Sequence, residues 1–418
     1  MQRKLEVILV RHSEPIRTQN NMNARLMRTG LMFEELSKNG NLDRVVWYTA
    51  RFDHFNKKPH AEPYYTETKT NMIKLISTPG YKNNKSIMRI IDDFIFGVKV
   101  AFEILRTPKQ RQLVTIASYP TIFACLFSLV STKIKRGSFI LEVRDKWPDV
   151  FSDVLKPNFV TTILISSAKL CLKILLNNAD FITVPSEGYK RWLAESYSPK
   201  NKNIQISPLP YISENEYEAQ SDIALNKKES SKYFLAVFFG TLGNMFDFET
   251  MIDSIISINS TKALEKPIHL HIYGNGDNAE RLKQKYSNNS EIIFQGYKDL
   301  TKLARAASEA TVALAPYKGI SNFEGHFPNK LAEYISLGIP VVHSVPGAAQ
   351  YFTKIHHCGE YYAPGDNEKF KSAIIKVLSN PSNYKFNAKE IYNTEFSPKK
   401  CFSPIIGFIT RNSRYTSH

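Results

Sequence analysis

The stretch SNFEGHFPNKLAEYISLGIPVVHS, residues Ser321–Ser344, predicts a loop, a short helix, a sharp stop and a buried strand. Pro328 suits the first helical position, where its missing N–H is not needed. Gly338 favours a left-handed cap at the end of the helix, and Pro340 prevents the helix from continuing. The apolar run Ile339–Val342 is typical of a strand in a parallel sheet. We therefore expect an α/β fold around this stretch.

The helix within this stretch has one apolar face and one polar face. Leu331, Tyr334 and Ile335 recur at a spacing of three and four residues, which places them together. Lys330 and Glu333 lie one turn apart near the helix N-terminus, where free N–H groups and the helix dipole favour a phosphate. A carboxylate only accepts hydrogen bonds, which suits a sugar diol. The residues alone leave two interpretations open, a ligand site or a surface helix with one weak ion pair.

The chain has 418 residues, enough for two domains with substantial cores. Its apolar fraction of 43% and charged fraction of 22% are typical of a globular protein. The net charge of +16 suits nucleic acid, an anionic membrane surface or polyanionic substrates. Because no nucleic-acid-binding motif accompanies the scattered basic residues, we expect no nucleic-acid partner and favour contact with phosphates and an anionic membrane surface.

Cysteine usage and hydropathy bear on the compartment. The four cysteines show no metal-binding spacing, which favours a reduced, cytoplasmic protein. The apolar run among the first residues is too short for a signal peptide. No stretch reaches the roughly 20 apolar residues of a membrane span. Ile87–Arg106 and Val160–Leu176 mix apolar faces with Lys and Arg. Such helices either rest on anionic lipid or pack on a sheet.

Strand and helix patterns alternate over the first 195 residues, which indicates a doubly wound α/β domain. A polar segment, Ile212–Lys232, interrupts the alternation, which then restarts. We therefore expect a first domain over residues 1–208, a second over 209–382 and a partly helical tail over 383–418.

Glycine turns follow three strands of the second half. Gly240-Thr241-Leu242-Gly243 follows an apolar strand and precedes a helix, so the backbone there can approach a diphosphate. Gly274 and Gly296-Tyr297 close the next two strands, and ordinary turns remain an alternative for both. The acidic residues Asp247 and Glu249 suit a helix start better than a metal site, and we expect no metal.

The run FPNKLAEYISLGIPVV resembles the donor-site segment of family-four glycosyltransferases of the GT-B fold. It is closest to the bacterial branch that builds surface polysaccharides such as O-antigen, lipopolysaccharide and capsule. The resemblance is densest over Phe234–Asp366, where Tyr362–Asp366 also fits the family. It implies two Rossmann-like doubly wound domains facing a cleft, with the nucleotide-sugar held by the second domain. It also implies that the C-terminal tail crosses back to the first domain.

The resemblance assigns roles to individual residues. The donor would contact Gly240, Thr241, Gly243, Gly274, Tyr297, Lys330 and Glu333, and the catalytic residues would be Glu324, Lys330 and Asp145. The family's usual Glu, seven residues before Glu333, falls on Gly325, so Glu324 implies a shift of one residue. Many members carry an Arg and a Lys after the first glycine turn. This chain has neither, so Lys330, Lys318 or Arg305 would supply that charge.

The first half resembles the acceptor domain of the same branch. The motif RDKWPDVF places Asp145 after a strand, where it would orient an acceptor hydroxyl or act as a structural anchor. Asp53 and His54 follow another strand, and they would reach the same edge or form a solvated loop pair.

The activity that the resemblance implies is sugar transfer with retention of configuration, of the hexosyltransferase type, without a metal or cofactor. The donor would be a UDP-sugar, and the acceptor a polyprenyl-linked saccharide at the cytoplasmic face of the membrane. Two alternatives remain, a nucleotide-sugar epimerase of the same fold and a basic nucleic-acid-binding protein. The run LVRHSE also resembles the phosphate-binding loop of histidine phosphatases, with Arg11 and His12 as clamp and nucleophile. The further Arg and His of that family have no convincing counterpart here.

Overall fold

The computed structural model describes residues 4–17, 26–54, 56–62, 64–66, 70–83, 86–152, 158–210, 232–298, 300–319 and 327–414. They divide into two compact units. Unit 1 contains the residues up to Pro208 together with those from Cys401 onward, and unit 2 is Leu209–Lys400. The predicted tail from residue 383 is therefore divided, because its first part belongs to unit 2 and its last helix to unit 1.

Unit 1 contains an eight-stranded sheet in the order β10-β9-β8-β7-β1-β2-β6-β5. All neighbouring strands are parallel except β5, which is antiparallel to β6. The strands are β1 (Lys4–Val10), β2 (Arg44–Ala50), β5 (Tyr64–Thr66), β6 (Met72–Ile76), β7 (Arg111–Tyr119), β8 (Ser138–Val143), β9 (Phe181–Val184) and β10 (Ile204–Ile206), and β3 (Phe52–Asp53) pairs with β4 (Lys58–Pro59) as a separate ribbon.

Helices cover both faces of this sheet. The side chains of each buried strand therefore alternate between two cores, one on each face. The helices of unit 1 are α1 (Arg28–Ser37), α2 (Ile87–Arg106), α3 (Ile122–Ile134), α4 (Asp149–Ser152), α5 (Phe159–Asn178), α6 (Glu187–Tyr197) and, from the C-terminus, α14 (Pro398–Arg414). In β1, Ile8 and Val10 face the core shared with α2 and α3, whereas Val7 and Leu9 face the core shared with α1 and α14. Both faces of the strand are thus buried.

Unit 2 contains a six-stranded parallel sheet in the order β13-β12-β11-β14-β15-β16. Its strands are β11 (Phe234–Phe239), β12 (Ile268–Tyr273), β13 (Ile292–Gly296), β14 (Val312–Ala315), β15 (Val341–His343) and β16 (Gly359–Tyr361). Its helices are α7 (Phe248–Thr261), α8 (Ala279–Lys285), α9 (Leu300–Glu309), α10 (Asn329–Ser336), α11 (Ala348–His356), α12 (Asn367–Ser379) and α13 (Pro381–Ile391), followed by a short π-helical turn (Tyr392–Phe396). A single large core joins these helices to the sheet.

Both units therefore have the predicted doubly wound, Rossmann-like α/β fold, and that prediction is confirmed. Most of the polar segment Ile212–Lys232 lies outside the described residues. In the part of the chain that the structure describes, every helix is too short or too polar to cross a membrane.

The stretch that decides the fold forms α10 and β15, and one expectation about it is wrong. Pro328 lies before the helix rather than at its first position, because its ψ of 141° is extended and α10 begins at Asn329. Gly338 has φ +67°, the left-handed conformation that ends the helix. Ile339 and Val342 are fully buried, as an interior segment of a parallel sheet requires.

Candidate functional site in unit 2

Three glycine turns meet at the carboxyl edge of the unit 2 sheet. The N–H of Gly240 donates to the carbonyl of Tyr273 at 2.8 Å. The N–H of Gly274 donates to the carbonyl of Gly296 at 2.9 Å. The turns after β11, β12 and β13 are therefore held side by side by backbone hydrogen bonds, at the edge where α/β sheets place their ligands.

Glycine is required at these turns for two physical reasons. Gly240 and Gly274 have φ values of +134° and +132°, which side-chain-bearing residues rarely adopt. A Cβ on Gly274 would collide with the carbonyl oxygen of Gly240, and one on Gly276 would lie 2.7 Å from the backbone nitrogen of Leu242. Gly243, in contrast, has open space around its Cα.

Lys330 extends from the first turn of α10 to the Gly240 turn. Its Nζ donates to the carbonyl of Phe239, the last residue of β11, and occupies the space that a Cβ on Gly240 would fill. The ammonium also lies 4.5 Å from the ring centroid of Phe238 and 5.4 Å from that of Phe246, distances typical of cation–π contacts. A positive charge is thereby fixed at the end of the central strand.

Two neighbours of Lys330 on α10 complete this corner. The Tyr334 hydroxyl, fully buried, accepts a hydrogen bond of 2.9 Å from the Phe239 N–H. Glu333 is half-buried. Burial and the Glu333 carboxylate both raise the pKa of Tyr317, which shows that this carboxylate lies close to the segment after β14. Lys330 thus lies at the end of β11, and Glu333 near the segment that follows the neighbouring strand β14.

The acidic residues at the start of α7 are structural. Asp247 caps the helix, because its carboxylate accepts a 3.2 Å hydrogen bond from the Thr250 N–H. Glu249 forms ion pairs with Arg281 and, at 2.9 Å, with Lys285. Over the described residues, no group of three or more His, Cys, Asp or Glu side chains is placed to hold a metal ion.

The remaining predicted donor residues lie near this edge or outside the described residues. Thr241 and Tyr297 are exposed, each directly after a glycine of the turns. Lys318 is exposed in a loop, and its backbone N–H donates to the Met245 carbonyl at 2.9 Å. Arg305 pairs with Glu309 on the surface of α9. Glu324 falls outside the described residues, together with Gly325. Of the three cations considered, Lys330 is the one whose contacts reach the Gly240 turn.

The corresponding edge of unit 1 carries an arginine–glutamate network of Arg28, Glu142, Arg144 and Glu14. Arg28 donates to Glu142 and, at 2.6 Å, to the hydroxyl of Ser207. Arg144 donates to Glu142 at 2.5 Å and also to Glu14. Burial alone would raise the pKa of Glu142, but Arg144 and Arg28 together lower it to about 2.

His12, the residue that resembles a phosphatase nucleophile, is also part of the structure of unit 1. Its Nε2 lies 2.6 Å from the Asp92 carboxylate, and its side chain is buried against the ring of Phe96. Asp92 in turn accepts a 2.5 Å hydrogen bond from the Gly80 N–H. The imidazole therefore ties the β1 loop to α2 and is not presented as an attacking group.

Asp145 is exposed, directly after Arg144 of the network. The Asp53 carboxylate accepts a 2.7 Å hydrogen bond from the Asn56 amide, and His54 Nδ1 lies 2.5 Å from the Tyr81 hydroxyl. Sequence analysis missed the network itself. The available signal was Glu142, a carboxylate in the otherwise apolar strand SFILEV, where burial requires a cationic partner.

A family model matches the part of the chain that contains this edge. Residues 234–380 match the family model described as "Glycosyl transferases group 1", which spans the glycine turns, Lys330 and Glu333. No curated protein matches the sequence.

Similar solved structures cover nearly the whole chain at low sequence identity. Sucrose-phosphate synthase from Thermosynechococcus elongatus has a TM-score of 0.67 and 16% identity, over 99% of this chain and 100% of that chain. HepE of Anabaena, solved in complex with UDP, has a TM-score of 0.62 and 12% identity, over 97% and 100%. The lipopolysaccharide outer core galactosyltransferase WaaB has a TM-score of 0.60 and 16% identity, over 98% and 100%. The chain therefore has the fold of GT-B glycosyltransferases, and most of its second unit is similar to the glycosyl transferases group 1.

Proposed function

We propose that this chain is a retaining glycosyltransferase of the hexosyltransferase type. It moves a sugar from a nucleotide-sugar, a UDP-sugar, to a polyprenyl-linked saccharide. The reaction serves the synthesis of a bacterial surface polysaccharide such as lipopolysaccharide O-antigen or capsule. The protein works in the cytoplasm, in peripheral contact with the inner face of the cell membrane.

The observation that carries the proposal is Lys330 fixed against the Gly240 turn, inside the region that matches the glycosyltransferase family model. The Gly240 turn has open space at Gly243 and an exposed Thr241, so a ligand can approach its backbone, and Lys330 adds a full positive charge beside it. A diphosphate is the ligand that such a combination favours. Glu333 accepts hydrogen bonds only, so it suits the ribose hydroxyls of the same donor.

The chemistry follows from where charge develops. As the bond between the sugar and the diphosphate breaks, negative charge grows on the leaving phosphate oxygen. Lys330 and the N-terminal N–H groups of α10 stabilise that charge and lower the barrier. The leaving phosphate takes the proton of the acceptor hydroxyl, and the new bond forms on the same face of the sugar. The proposal requires neither a metal ion nor a cofactor, because these groups supply the positive charge.

The choice of donor and acceptor rests on two further supports. HepE, similar in fold, was solved with UDP, and WaaB is named as a galactosyltransferase of the lipopolysaccharide outer core. The net charge of +16 and the exposed apolar side chains of α2 and α5 favour a substrate held at an anionic membrane.

The test is calorimetric titration of the full chain with UDP, GDP and ADP, compared with Glu333→Ala. We expect UDP to bind and the variant to lose at least tenfold in affinity, because a hydrogen bond to a charged group is worth about 1.5–3 kcal/mol. Glu368→Ala is the matched control, since Glu368 is 82% exposed on α12 of the same unit and should leave UDP affinity unchanged. Failure of all three nucleotides to bind at millimolar concentration would contradict the proposal.

A second measurement separates transfer from the two alternatives. A transferase releases UDP from a UDP-sugar in proportion to added acceptor, whereas an epimerase converts the UDP-sugar with no acceptor present. Salt-sensitive binding of DNA or RNA, unaffected by UDP-sugar, would instead support a nucleic-acid-binding protein.

A further inference from the structure

Unit 1 exposes apolar side chains along three of its helices. They are Ile87, Ile90, Ile91, Phe94, Phe102 and Leu105 on α2, Val130 and Ile134 on α3, and Phe159, Ile163, Leu164, Leu170 and Ile174 on α5. Phe159 is 82% exposed, Ile87 76% and Ile134 64%, which is unusual for such large side chains. We call this set the apolar face. Contiguous exposed apolar surface marks a contact with another molecule or a membrane.

The apolar face is continuous, because the three helices pack side by side. The ring of Phe94 on α2 lies 5.3 Å from that of Phe123 and 5.4 Å from that of Phe127, both on α3. Gly97 lies directly against the backbone of Phe123, so α2 and α3 approach closely, and α5 also packs against α3. On α2, Ile87, Ile91, Phe94, Phe102 and Leu105 share one side at helical spacing, opposite the buried side.

The three helices of the apolar face carry more cationic than acidic side chains. The sequences of α3 and α5 contain no Asp or Glu, and they contribute Lys133, Lys169 and Lys173. Lys133 pairs with Asp180 and Lys169 with Asp149, each at 2.6 Å, and Lys173 is exposed. On α2, Asp92 is buried, Asp93 is partly buried, and Glu103 pairs with Lys74 at 2.7 Å and with Arg106, which is 75% exposed, at 3.4 Å. This combination of apolar residues and cations is complementary to an anionic bilayer and not to a second copy of a chain whose net charge is +16.

A cationic pocket opens beside the start of this face. It has a volume of about 820 Å³ and lies at the carboxyl ends of β2 and β6, where Arg51, Lys57, Lys82 and Tyr81 line it. No Asp or Glu is among its described lining residues. The Lys57 ammonium lies 4.7 Å from the Tyr81 ring centroid, and the Arg89 guanidinium 5.9 Å from it. The pocket is therefore a place for an anion.

The pocket and the apolar face share the first turn of α2. Ser86 and Met88 line the pocket, while Ile87, Ile90 and Ile91 belong to the face. A molecule with a phosphate at one end and a hydrocarbon chain at the other would meet complementary surfaces at both ends. Hydrocarbon alone would make no use of the cationic lining of the pocket, and a free phosphate would leave the apolar face exposed.

We propose that the pocket and the apolar face together form a site for a membrane lipid phosphate, with the headgroup in the pocket and the face in contact with the bilayer. The inference rests on the proposed function in one respect, since a lipid-linked acceptor would carry the same phosphate and chain. It also identifies the surface of unit 1 that lies on the membrane.

The test is sedimentation of the full chain with vesicles of phosphatidylcholine and with vesicles that also contain phosphatidic acid. We expect binding to the acidic vesicles and a loss of at least tenfold in the double variant Ile90→Ser/Phe102→Ser. Phe386→Ser is the matched control, because Phe386 is 63% exposed in unit 2 and should not affect binding. Lys82→Glu should weaken binding to acidic vesicles by roughly tenfold, since it both removes and reverses a charge near the surface. Lys354→Glu, an exposed lysine of unit 2, should not.

Several outcomes would overturn the inference. If the double variant bound acidic vesicles like the original chain, the face would not be in contact with lipid. If that variant instead changed the oligomeric state in sedimentation velocity, the face would be an interface between copies. If Lys82→Glu weakened the binding of inorganic pyrophosphate but left vesicle binding unchanged, the pocket would serve a soluble phosphate. UDP affinity, measured on the same samples, reports on the proposed function separately, because it depends on unit 2.

Discussion

The carboxyl edges of the two sheets differ in what fills them. In unit 1 the edge is occupied by the arginine–glutamate network, whose charges are neutralised by each other inside the protein. In unit 2 the edge is built from glycine turns, and its lysine contacts a backbone carbonyl and aromatic rings. The same topology therefore yields an edge of paired buried charges in unit 1, with Arg11 partly buried beside them, and an edge of glycine turns with open space at Gly243 in unit 2. A charge at a strand end is stronger evidence for a ligand site where its described contacts are neutral groups than where they are opposite charges.

The largest expected effect is on the network. Glu142→Gln leaves Arg28 and Arg144 without their shared carboxylate, so it should lower the free energy of unfolding by about 3–5 kcal/mol. Glu103→Gln removes a carboxylate 20% exposed on α2 and should cost less than about 1 kcal/mol. Urea unfolding of both variants measures the difference. Equal effects would mean that the network contributes no more than a surface ion pair.

The next effect concerns the glycine turns. Gly274→Ala places a Cβ against the Gly240 carbonyl and at an unfavourable φ, so it should cost about 3 kcal/mol and abolish UDP binding. Gly243→Ala places its methyl group in open space and should change stability by less than about 0.5 kcal/mol. The two are compared by urea unfolding and calorimetry. If Gly274→Ala changed neither stability nor UDP affinity, the glycine turns could move apart without effect. This edge would then be a weaker candidate for the nucleotide site.

A smaller effect is expected for the lysine. Lys330→Met keeps an unbranched chain among Phe238 and Phe246 but removes the charge, so UDP affinity should fall ten- to a hundredfold, or about 1.5–3 kcal/mol. Lys318→Met, in the neighbouring loop, should lower UDP affinity by much less. The measurement is calorimetric titration with UDP. A larger loss for Lys318→Met would assign the phosphate charge to that loop.

Sequence analysis predicted the fold because its signals are local. The alternation of apolar strands with amphipathic helices sets a doubly wound sheet, and Gly338 marks the end of α10 through a backbone conformation that glycine favours. Gly240 and Lys330 were likewise recognisable as a pair of candidate ligands. Their mutual contact was not, because it depends on the distance between two segments 90 residues apart.

The network and the exposed side of α2 could not be located from the sequence for the same reason. Arg28, Glu142 and Ser207 come together only after α1, β8 and the segment after β10 have packed. The sequence of α2 shows apolar residues on both sides of the helix, but only the packed structure shows which side α3 leaves exposed. Asp145 stood out in its motif, whereas its neighbour Arg144 makes the buried contacts.

The smallest expected effect is a difference between the two units in how their stability responds to acid. His343, fully buried in unit 2, has a pKa lowered by burial to about 3. Between that pH and 6.5 the unfolded chain binds the extra proton, so stability rises with pH and is lost as pH falls below about 6.5. For Glu142 in unit 1, with its pKa lowered to about 2, the corresponding loss begins only below about 4.5. His54 and His60 of unit 1 also have pKa values lowered by burial, but both are partly exposed, so fully buried His343 should make the larger loss near neutral pH fall on unit 2.

His343→Asn tests this difference, because an amide oxygen can still accept the hydrogen bond that Val345 N–H gives to Nδ1 at 3.2 Å. Between pH 7.5 and 5.5 the original chain should lose about 1.4 kcal/mol more stability than the variant, the value of one pH unit below the unfolded pKa. Urea unfolding at both pH values measures it, and the other histidines cancel because both chains retain them. If the difference in unfolding free energy between the two chains were the same at pH 5.5 as at pH 7.5, His343 would gain a proton without unfolding. The acid sensitivity of unit 2 would then have to arise from partly exposed groups such as His271, whose pKa burial also lowers.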